Sequence, residues 1–372
     1  MIRLAHREDC CGCTACAAVC AHGAIRMKQD AMGFPYPEID PLLCTECGLC
    51  ERVCAFKPIQ AGATLQPQAI RFPEFLDRSQ SGGLAYAVMR KAITEGYIVY
   101  GAALDEDFVV RHRRVDSLEG LEPLRLSKYV QSDMEGIPAQ VLADLKAGRQ
   151  VLFSGTPCQC AGIGSLCARH REHLLLMDLI CHGVPAPSVW KDYLDWAQKR
   201  QGTQLTGALF RDPSLGWRGS KERLFFGEES VVSNVYNYFY FKGLMYRPSC
   251  GSCPFASLHR PSDITVGDFW GVDKALPGFA DDNRGCSLLL ASTEAGSRFC
   301  EQFPDAHTRA SITVEQALQM NLQRPTRPHR YARLFEKLYL RKGFPTVFRL
   351  MGPDSLNHRI ALFLHKRKQK NG

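Results

Sequence analysis

Hydrophobic and polar positions keep one rhythm up to about residue 78 and another beyond it. Residues 24–28 and 34–39 are short alternating runs around Asp30, Met32 and Gly33, which predicts a small β-hairpin. Residues 57–78 carry Pro58, Gly62, Pro67 and Pro73 at intervals that interrupt any regular element, so the stretch reads as a linker. From Ser81 the pattern alternates between helical and strand periods. Residues 85–95 repeat as a helix, 96–101 as a strand bounded by glycines, and 107–112 as its hairpin neighbour. A helix over 138–146, a buried strand over 150–154, a loop over 155–159 and a helix to about 169 follow. Then come a second buried strand over 174–180 and a helix over 187–201 with Pro187 in its first turn. Continuous apolar strands separated by helices predict an α/β sheet covered on both faces, with its ligand site at the carboxyl ends of the strands.

The second half is less regular. Residues 205–210, 223–226 and 230–235 read as strands, and 236–245 as an aromatic-rich helix packed in the core. Residues 287–292 read as a last strand, 294–303 as a helix, and helices are expected beyond Thr308.

The chemistry is carried by cysteine. Cys10, Cys13, Cys16 and Cys20 follow C-x2-C-x2-C-x3-C, and so do Cys44, Cys47, Cys50 and Cys54. Each member of the first set recurs 34 residues later, as do Val19 in Val53, Ala21 in Ala55 and Ile25 in Ile59, which marks an internal duplication. Two-residue gaps let three thiolates reach one four-iron cube from a tight loop, with Gly12, Ala15 and Gly48 allowing close backbone approach. A structural zinc site takes four ligands in two pairs, which this duplicate does not offer. The motif resembles the bacterial two-cluster ferredoxin, whose fourth cysteine ligates the other cluster. That resemblance implies one 4Fe–4S cluster on Cys10, Cys13, Cys16 and Cys54, and a second on Cys44, Cys47, Cys50 and Cys20. The usual proline after the fourth cysteine is replaced by Ala21 and Ala55.

Composition narrows the setting. At 372 residues the chain is expected to hold two or three domains, and 45% hydrophobic content suits a full core. The first residues lack the apolar stretch of a signal peptide, and no apolar run approaches the length of a membrane span. Seventeen cysteines in a chain without a signal point to a reducing, cytoplasmic setting rather than to disulfides. The net charge of +8 is modest and lies partly in the basic stretch 365–370, which reads as a solvated tail. No nucleic-acid motif is present.

Of the other cysteines, Cys158, Cys181, Cys250 and Cys253 sit on glycine- or proline-flanked turns. Taken alone, Cys158 suits a core or redox thiol as well as a ligand, and Cys250-x2-Cys253 suits half a zinc site. Cys167, Cys286 and Cys300 read as small buried hydrophobes. The surroundings are more specific. Ser81-Gly82-Gly83, Lys128-Tyr129-Val130-Gln131-Ser132, Gly155-Thr156-Pro157-Cys158-Gln159, Cys181-His182-Gly183-Val184-Pro185 and the run 262–271 together resemble the beta subunit of the coenzyme F420 (deazaflavin) hydrogenase/dehydrogenase family. The resemblance implies an FAD beside a third 4Fe–4S cluster, carried onto Cys158, Cys181, Cys250 and Cys253, with Cys160 as the rival for one position. It also implies a flavin site of its own kind, since no G-x-G-x-x-G follows a strand. Within it, Ser81, Gly82, Gly83, Lys128, Gln131, Ser132 and Thr156 are the expected cofactor-binding residues, and His182 and Asp268 the expected catalytic ones. Ser81 is also a plain helix cap, and Asp268 a turn residue.

The expected architecture is therefore an α+β ferredoxin module (1–62), a linker (63–78), an α/β domain with a mixed, mostly parallel sheet (79–310) and a helical C-terminal region (311–372). The expected activity is an oxidoreductase passing electrons between a ferredoxin-type partner, three clusters, FAD and a small organic substrate such as a deazaflavin. The alternative is a non-catalytic electron-transfer subunit of a larger complex, serving for example surface-polysaccharide synthesis. A homo-oligomer is compatible with either.

Overall fold

The structure is a computed structural model that describes residues 6–56, 66–280 and 282–355. Its first unit is built around the hairpin. Helix α1 (Ala15–Ala18) is followed by β1 (Ile25–Gln29) and β2 (Pro35–Ile39), paired antiparallel, and then by α2 (Leu49–Arg52). The Asp30 carboxylate closes the turn by accepting the backbone N–H groups of Met32 and Phe34.

The proline-rich stretch is not a linker over its described part. Residues 57–65 lie outside the described residues, but Gln66–Arg71 form β3 and Pro73–Arg78 a 3-10 turn. Neither proline breaks its element. Pro67 sits near the start of the strand and gives its carbonyl to the N–H of Ile312, and Pro73 opens the turn, where its missing N–H costs nothing.

After α3 (Leu84–Thr94) come β4 (Ile98–Leu104), β5 (Val110–Val115), α4 (Ile137–Lys146), β6 (Val151–Gly155), α5 (Pro157–Leu166), β7 (Leu174–Leu179) and α6 (Pro187–Gln201). Strand β5 begins three residues later than its pattern suggests, because Asp107 and Phe108 form the turn, Phe108 with φ of 60°. A separate three-stranded sheet follows, β8 (Gly207–Leu209), β9 (Glu222–Phe226) and β10 (Glu229–Ser233), and then α7 (Val235–Phe241). The chain returns to the large sheet with β11 (Ile264–Asp268), α8 (Val272–Ala275), β12 (Ser287–Ala291), α9 (Glu294–Glu301) and β13 (Thr308–Ser311). It goes on through α10 (Val314–Ala317), α11 (Ala332–Lys342) and α12 (Phe344–Met351). Thus β12 is not the last strand, and the run around Asp268 is a central strand rather than a turn.

The large sheet has eight strands in the order β13-β3-β12-β11-β7-β6-β4-β5. The four consecutive strands β11, β7, β6 and β4 are parallel, and the pairings outside them are antiparallel. Side chains alternate between its faces, as a pleated strand requires. Val99, Leu152, Leu175 and Val266 pack with α3 and α9, whereas Tyr100, Phe153 and Leu176 pack with α4 and α5. The aromatic stretch of α7 is buried as expected, against α6, α11, α12 and the small sheet, with Trp190 stacked on Phe210 at 4.2 Å. The carboxyl ends of β6, β7 and β11 lead directly to Cys158, Cys181 and Asp268.

Candidate functional site

The duplicated cysteine loops enclose two hollows, each drawing on both halves of the motif. Cys10, Cys13, Cys16 and Cys54 line one. Cys20, Cys44, Cys47 and Cys50 line the other. Backbone N–H groups point at the sulfurs, Gly12 at Cys10 and Ala24 at Cys20, both at 3.3 Å. Cys16, Cys20 and Cys50 share one apolar cluster, so the two hollows lie back to back.

A third hollow is lined by Cys158, Cys181, Cys250 and Cys253. These residues come from the N-terminal turn of α5, the end of β7 and a 3-10 turn, Pro248–Ser252, with the residue after it. Here too backbone N–H groups face sulfur at 3.4 Å, Gly183 toward Cys181 and Val184 toward Cys250. The loop carrying Cys253 is tied to β7 by Arg260, which donates to the Asp178 carboxylate at 2.6 Å in a fully buried ion pair. Burial pushes the thiols of Cys250 and Cys253 up, to about 12 and about 11. Cys160 does not line this hollow. It is fully buried in the core beneath the sheet, with its thiol directed at the carbonyl of Met177.

Among the described residues, no three His, Cys, Asp or Glu side chains converge as a single metal ion would need. A zinc ion draws its sulfurs to about 2.3 Å from one centre. A four-iron cube instead holds four thiolates apart around its corners, and three hollows with at least four cysteines each suit that donor set.

Cys11 lines both the hollow at Cys10 and the hollow at Cys158. It is buried, and its thiol lies against the sulfurs of Cys13 and Cys158. Its nearness pulls Cys158 down to about 7, with Thr156 adding to it, and lowers Cys13 as well. The two units touch closely here: a Cβ added at Gly162 of α5 would lie 2.7 Å from the Cys13 sulfur. Arg247, wholly buried, spans the same contact, donating to the carbonyls of Cys10 at 2.7 Å and Pro35 at 2.8 Å.

Beside the third hollow is a cavity of about 410 Å³ at the carboxyl ends of the parallel strands. Cys181, His182, Gly183 and Val184 line both, so this one segment is the wall between them. The cavity is cationic. Arg125, Lys128 and Arg211 line it, and the one carboxylate lining it among the described residues, Asp268, is held by Arg211 at 2.5 Å. Lys128 faces the cavity, where desolvation pulls its ammonium down to about 7, and it donates only to the carbonyl of Arg125 among the described residues. Nη2 of Arg125 and Nδ1 of His112 are buried with no partner among the described residues. Desolvation holds His112 at about 4, and it also lowers His182. A lysine without an acidic partner among the described residues, the free Nη2 of Arg125 and an orphaned ring nitrogen around this cavity suit a large anionic ligand with a heteroaromatic ring.

Ser81, Gly83, Lys128, Ser132, Thr156, His182 and Asp268 all line this cavity. Two expected residues do not. A Cβ at Gly82 would lie 2.4 Å from the Ser287 nitrogen and 2.5 Å from the Ile70 oxygen, so its smallness serves the close approach of β3 and β12. Gln131 points the other way from its neighbours in the extended segment, donating to the Cys11 carbonyl and accepting from Arg247. Sequence reasoning missed Arg247, Arg125, Arg211 and His112. Only Arg247 carried a signal, three residues before Cys250.

Comparison with known proteins gives two family matches. Residues 9–57 match the 4Fe-4S dicluster domain, and residues 148–316 match the family described as the carboxy-terminal part of the coenzyme F420 hydrogenase/dehydrogenase beta subunit. No curated protein shows significant similarity to the chain. Among solved structures, the chain is similar to one from the F420-reducing [NiFe] hydrogenase complex of Methanosarcina barkeri. Identity is 16% and the TM-score 0.46, over 78% of this chain and 93% of that one.

Proposed function

Because the chain joins a 4Fe-4S dicluster domain to a domain of the coenzyme F420 hydrogenase/dehydrogenase beta-subunit family, we propose that it is an oxidoreductase with three 4Fe–4S clusters and one FAD, exchanging electrons between a ferredoxin-type protein and a small organic molecule. The iron–sulfur electron-transfer role follows from the family. The third cluster, the flavin and the substrate are our reading. The observation that carries it is the order of the spaces. The hollow at Cys47 adjoins the hollow at Cys10, Cys11 joins that to the hollow at Cys158, and the segment from Cys181 to Val184 joins that to the large cavity.

When bound, the clusters would supply single electrons and the flavin would convert them to two-electron chemistry. The chain's own residues hold, orient and charge-balance these groups. Four cysteines per hollow supply thiolates, and backbone N–H groups stabilise the charge on sulfur. Lys128 and Arg125 place positive charge where a flavin phosphate or reduced ring carries negative charge. His182 stands on the wall between the third hollow and the cavity, in reach of both, and burial keeps its imidazole neutral, able to take up a proton. Asp268 fixes Arg211 rather than standing free as a base. A purely electron-transferring subunit needs no cationic cavity of this size, which favours the catalytic reading.

The test is anaerobic reconstitution followed by iron, sulfide and flavin analysis. We expect about twelve irons and one FAD per chain. Cys158→Ala should lose about four irons and keep the dicluster signals, and Lys128→Met should weaken FAD binding without loss of iron. About eight irons in the wild-type protein would remove the third cluster, and a spectrum without flavin after incubation with FAD would remove the flavin.

A further inference from the structure

Arg247 is a cation without an anion. Its guanidinium is fully buried, yet every hydrogen bond it makes among the described residues goes to a neutral oxygen: the carbonyls of Cys10 and Pro35, and Oε1 of Gln131 at 3.0 Å. It lies over the Tyr36 ring, 4.3 Å from its centroid, and 5.4 Å from that of Phe34. Ring faces offset part of the charge. A buried, otherwise uncompensated charge is nevertheless among the costliest features a fold can carry. The missing counter-charge is at hand, because Arg247 lines the hollow at Cys158 and is bonded to the loop of the hollow at Cys10. A four-iron cube with four thiolates is an anion in either redox state, and more negative when reduced.

We propose that Arg247 is a shared counter-cation of two iron–sulfur sites, those at Cys10 and at Cys158, and that it raises the reduction potentials of both together while leaving the site at Cys47 to itself. The inference rests on the three-cluster reading above. A fixed positive charge favours the extra electron on whichever cube carries it. Because one residue serves both, the two potentials are kept in step across the boundary between the units. The site at Cys47 has no such cation at its loop: its lining residues include Glu46 and His22 but, among the described residues, no arginine or lysine. Arg247 acts here as a positioning and tuning residue, through the sulfur ligands.

The experiment is potentiometric titration of the reconstituted full-length protein, followed by paramagnetic resonance, with iron analysis of the same samples. In Arg247→Gln, the potentials of the clusters at Cys10 and Cys158 should both fall, by the order of tenfold in the reduction equilibrium or about 59 mV for one electron. The cluster at Cys47 should stay where it is. Unshifted potentials, or an equal shift of all three, would overturn the proposal. Should Arg247→Gln fail to fold, Gln131→Glu sets a carboxylate against the guanidinium without removing its bonds to Cys10 and Pro35. It should lower the same two potentials, and unchanged values would again overturn the idea. Eight irons instead of twelve in the wild-type protein would take away the third cluster and overturn the sharing, whereas twelve irons with unshifted potentials would overturn the role of Arg247 alone.

Discussion

The two copies of the cysteine loop share a backbone and differ in everything around it. Gly12 and its counterpart Glu46 both have positive φ, 72° and 54°, and so do Thr14 and its counterpart Gly48, 60° and 72°. The loop needs two left-handed residues to wrap its sulfurs, and each copy gives glycine to only one of them. Which one follows from the neighbours. A Cβ at Gly12 would lie 2.7 Å from Nε2 of Gln131 and 2.9 Å from Nη1 of Arg247, so no side chain fits. Glu46 is exposed. Thr14 bears left-handed strain but donates to the Met134 carbonyl at 3.1 Å, across the boundary between the units, whereas a Cβ at Gly48 would meet nothing. One copy is thus built into the α/β domain and the other faces water, with Cys47 exposed and Leu42 beside it 92% exposed. The same set of cysteines is buried against a second unit in one place and exposed in the other.

Exchanging the left-handed residues should break this asymmetry most strongly. Gly12→Glu meets both a positive φ and two side chains too close for a Cβ, and should cost roughly 2–5 kcal/mol or prevent assembly. Glu46→Gly should change stability by less than about 1 kcal/mol. Anaerobic thermal melts of both variants measure the difference, and equal losses would mean that the first copy is not wedged as described. Chelation should give a smaller separation. Iron should leave in two phases, about four atoms per chain early, and the signal lost first should be that of the cluster at the exposed Cys47. Simultaneous loss from both copies would contradict the inside–outside distinction. The smallest effect is expected at the surface. Leu42→Ser should leave the melting temperature nearly unchanged, within about 0.5 kcal/mol, yet slow reduction by ferredoxin in rapid-mixing experiments. Unchanged kinetics would move electron entry to another face.

How much of this is legible from the chain alone depends on whether partners are near in sequence. The dicluster loop is, because its spacing is local and its period of 34 residues is visible in one strip of chain. The α/β core at β4, β6 and β7 is also legible, since these strands are largely apolar runs of the right length. Strand β3 is not: Pro67 and Pro73 are strong local breakers, and what overrides them is pairing with residues more than 200 positions away. Strand β11 is hidden by Gly267, which a turn and a buried strand use equally. A Cβ there would press on Ile180 at 2.7 Å. The motif puts Gln131 in the cavity with Lys128 and Ser132, because a motif does not say which way alternate side chains point. Arg247 stands three residues before Cys250, but its partners Cys10, Pro35 and Gln131 lie more than 100 positions away, so its burial is not written in its neighbours.

The position of β3 has a consequence in time. During synthesis the dicluster loop and β3 emerge first, yet the strands that flank β3 in the sheet end at Ala291 and Ser311. Until those residues have left the ribosome, β3 has both edges unpaired, and the loop that must close to pair it is most of the chain. Such long-range closure is slow and leaves an edge open to wrong partners. The nascent chain therefore passes through a stage in which the eight cysteines of the duplicated motif are already available while the sheet that backs them is incomplete. Metal loading of the first unit can then precede closure of the second, and the order of assembly runs in the same direction as the chain.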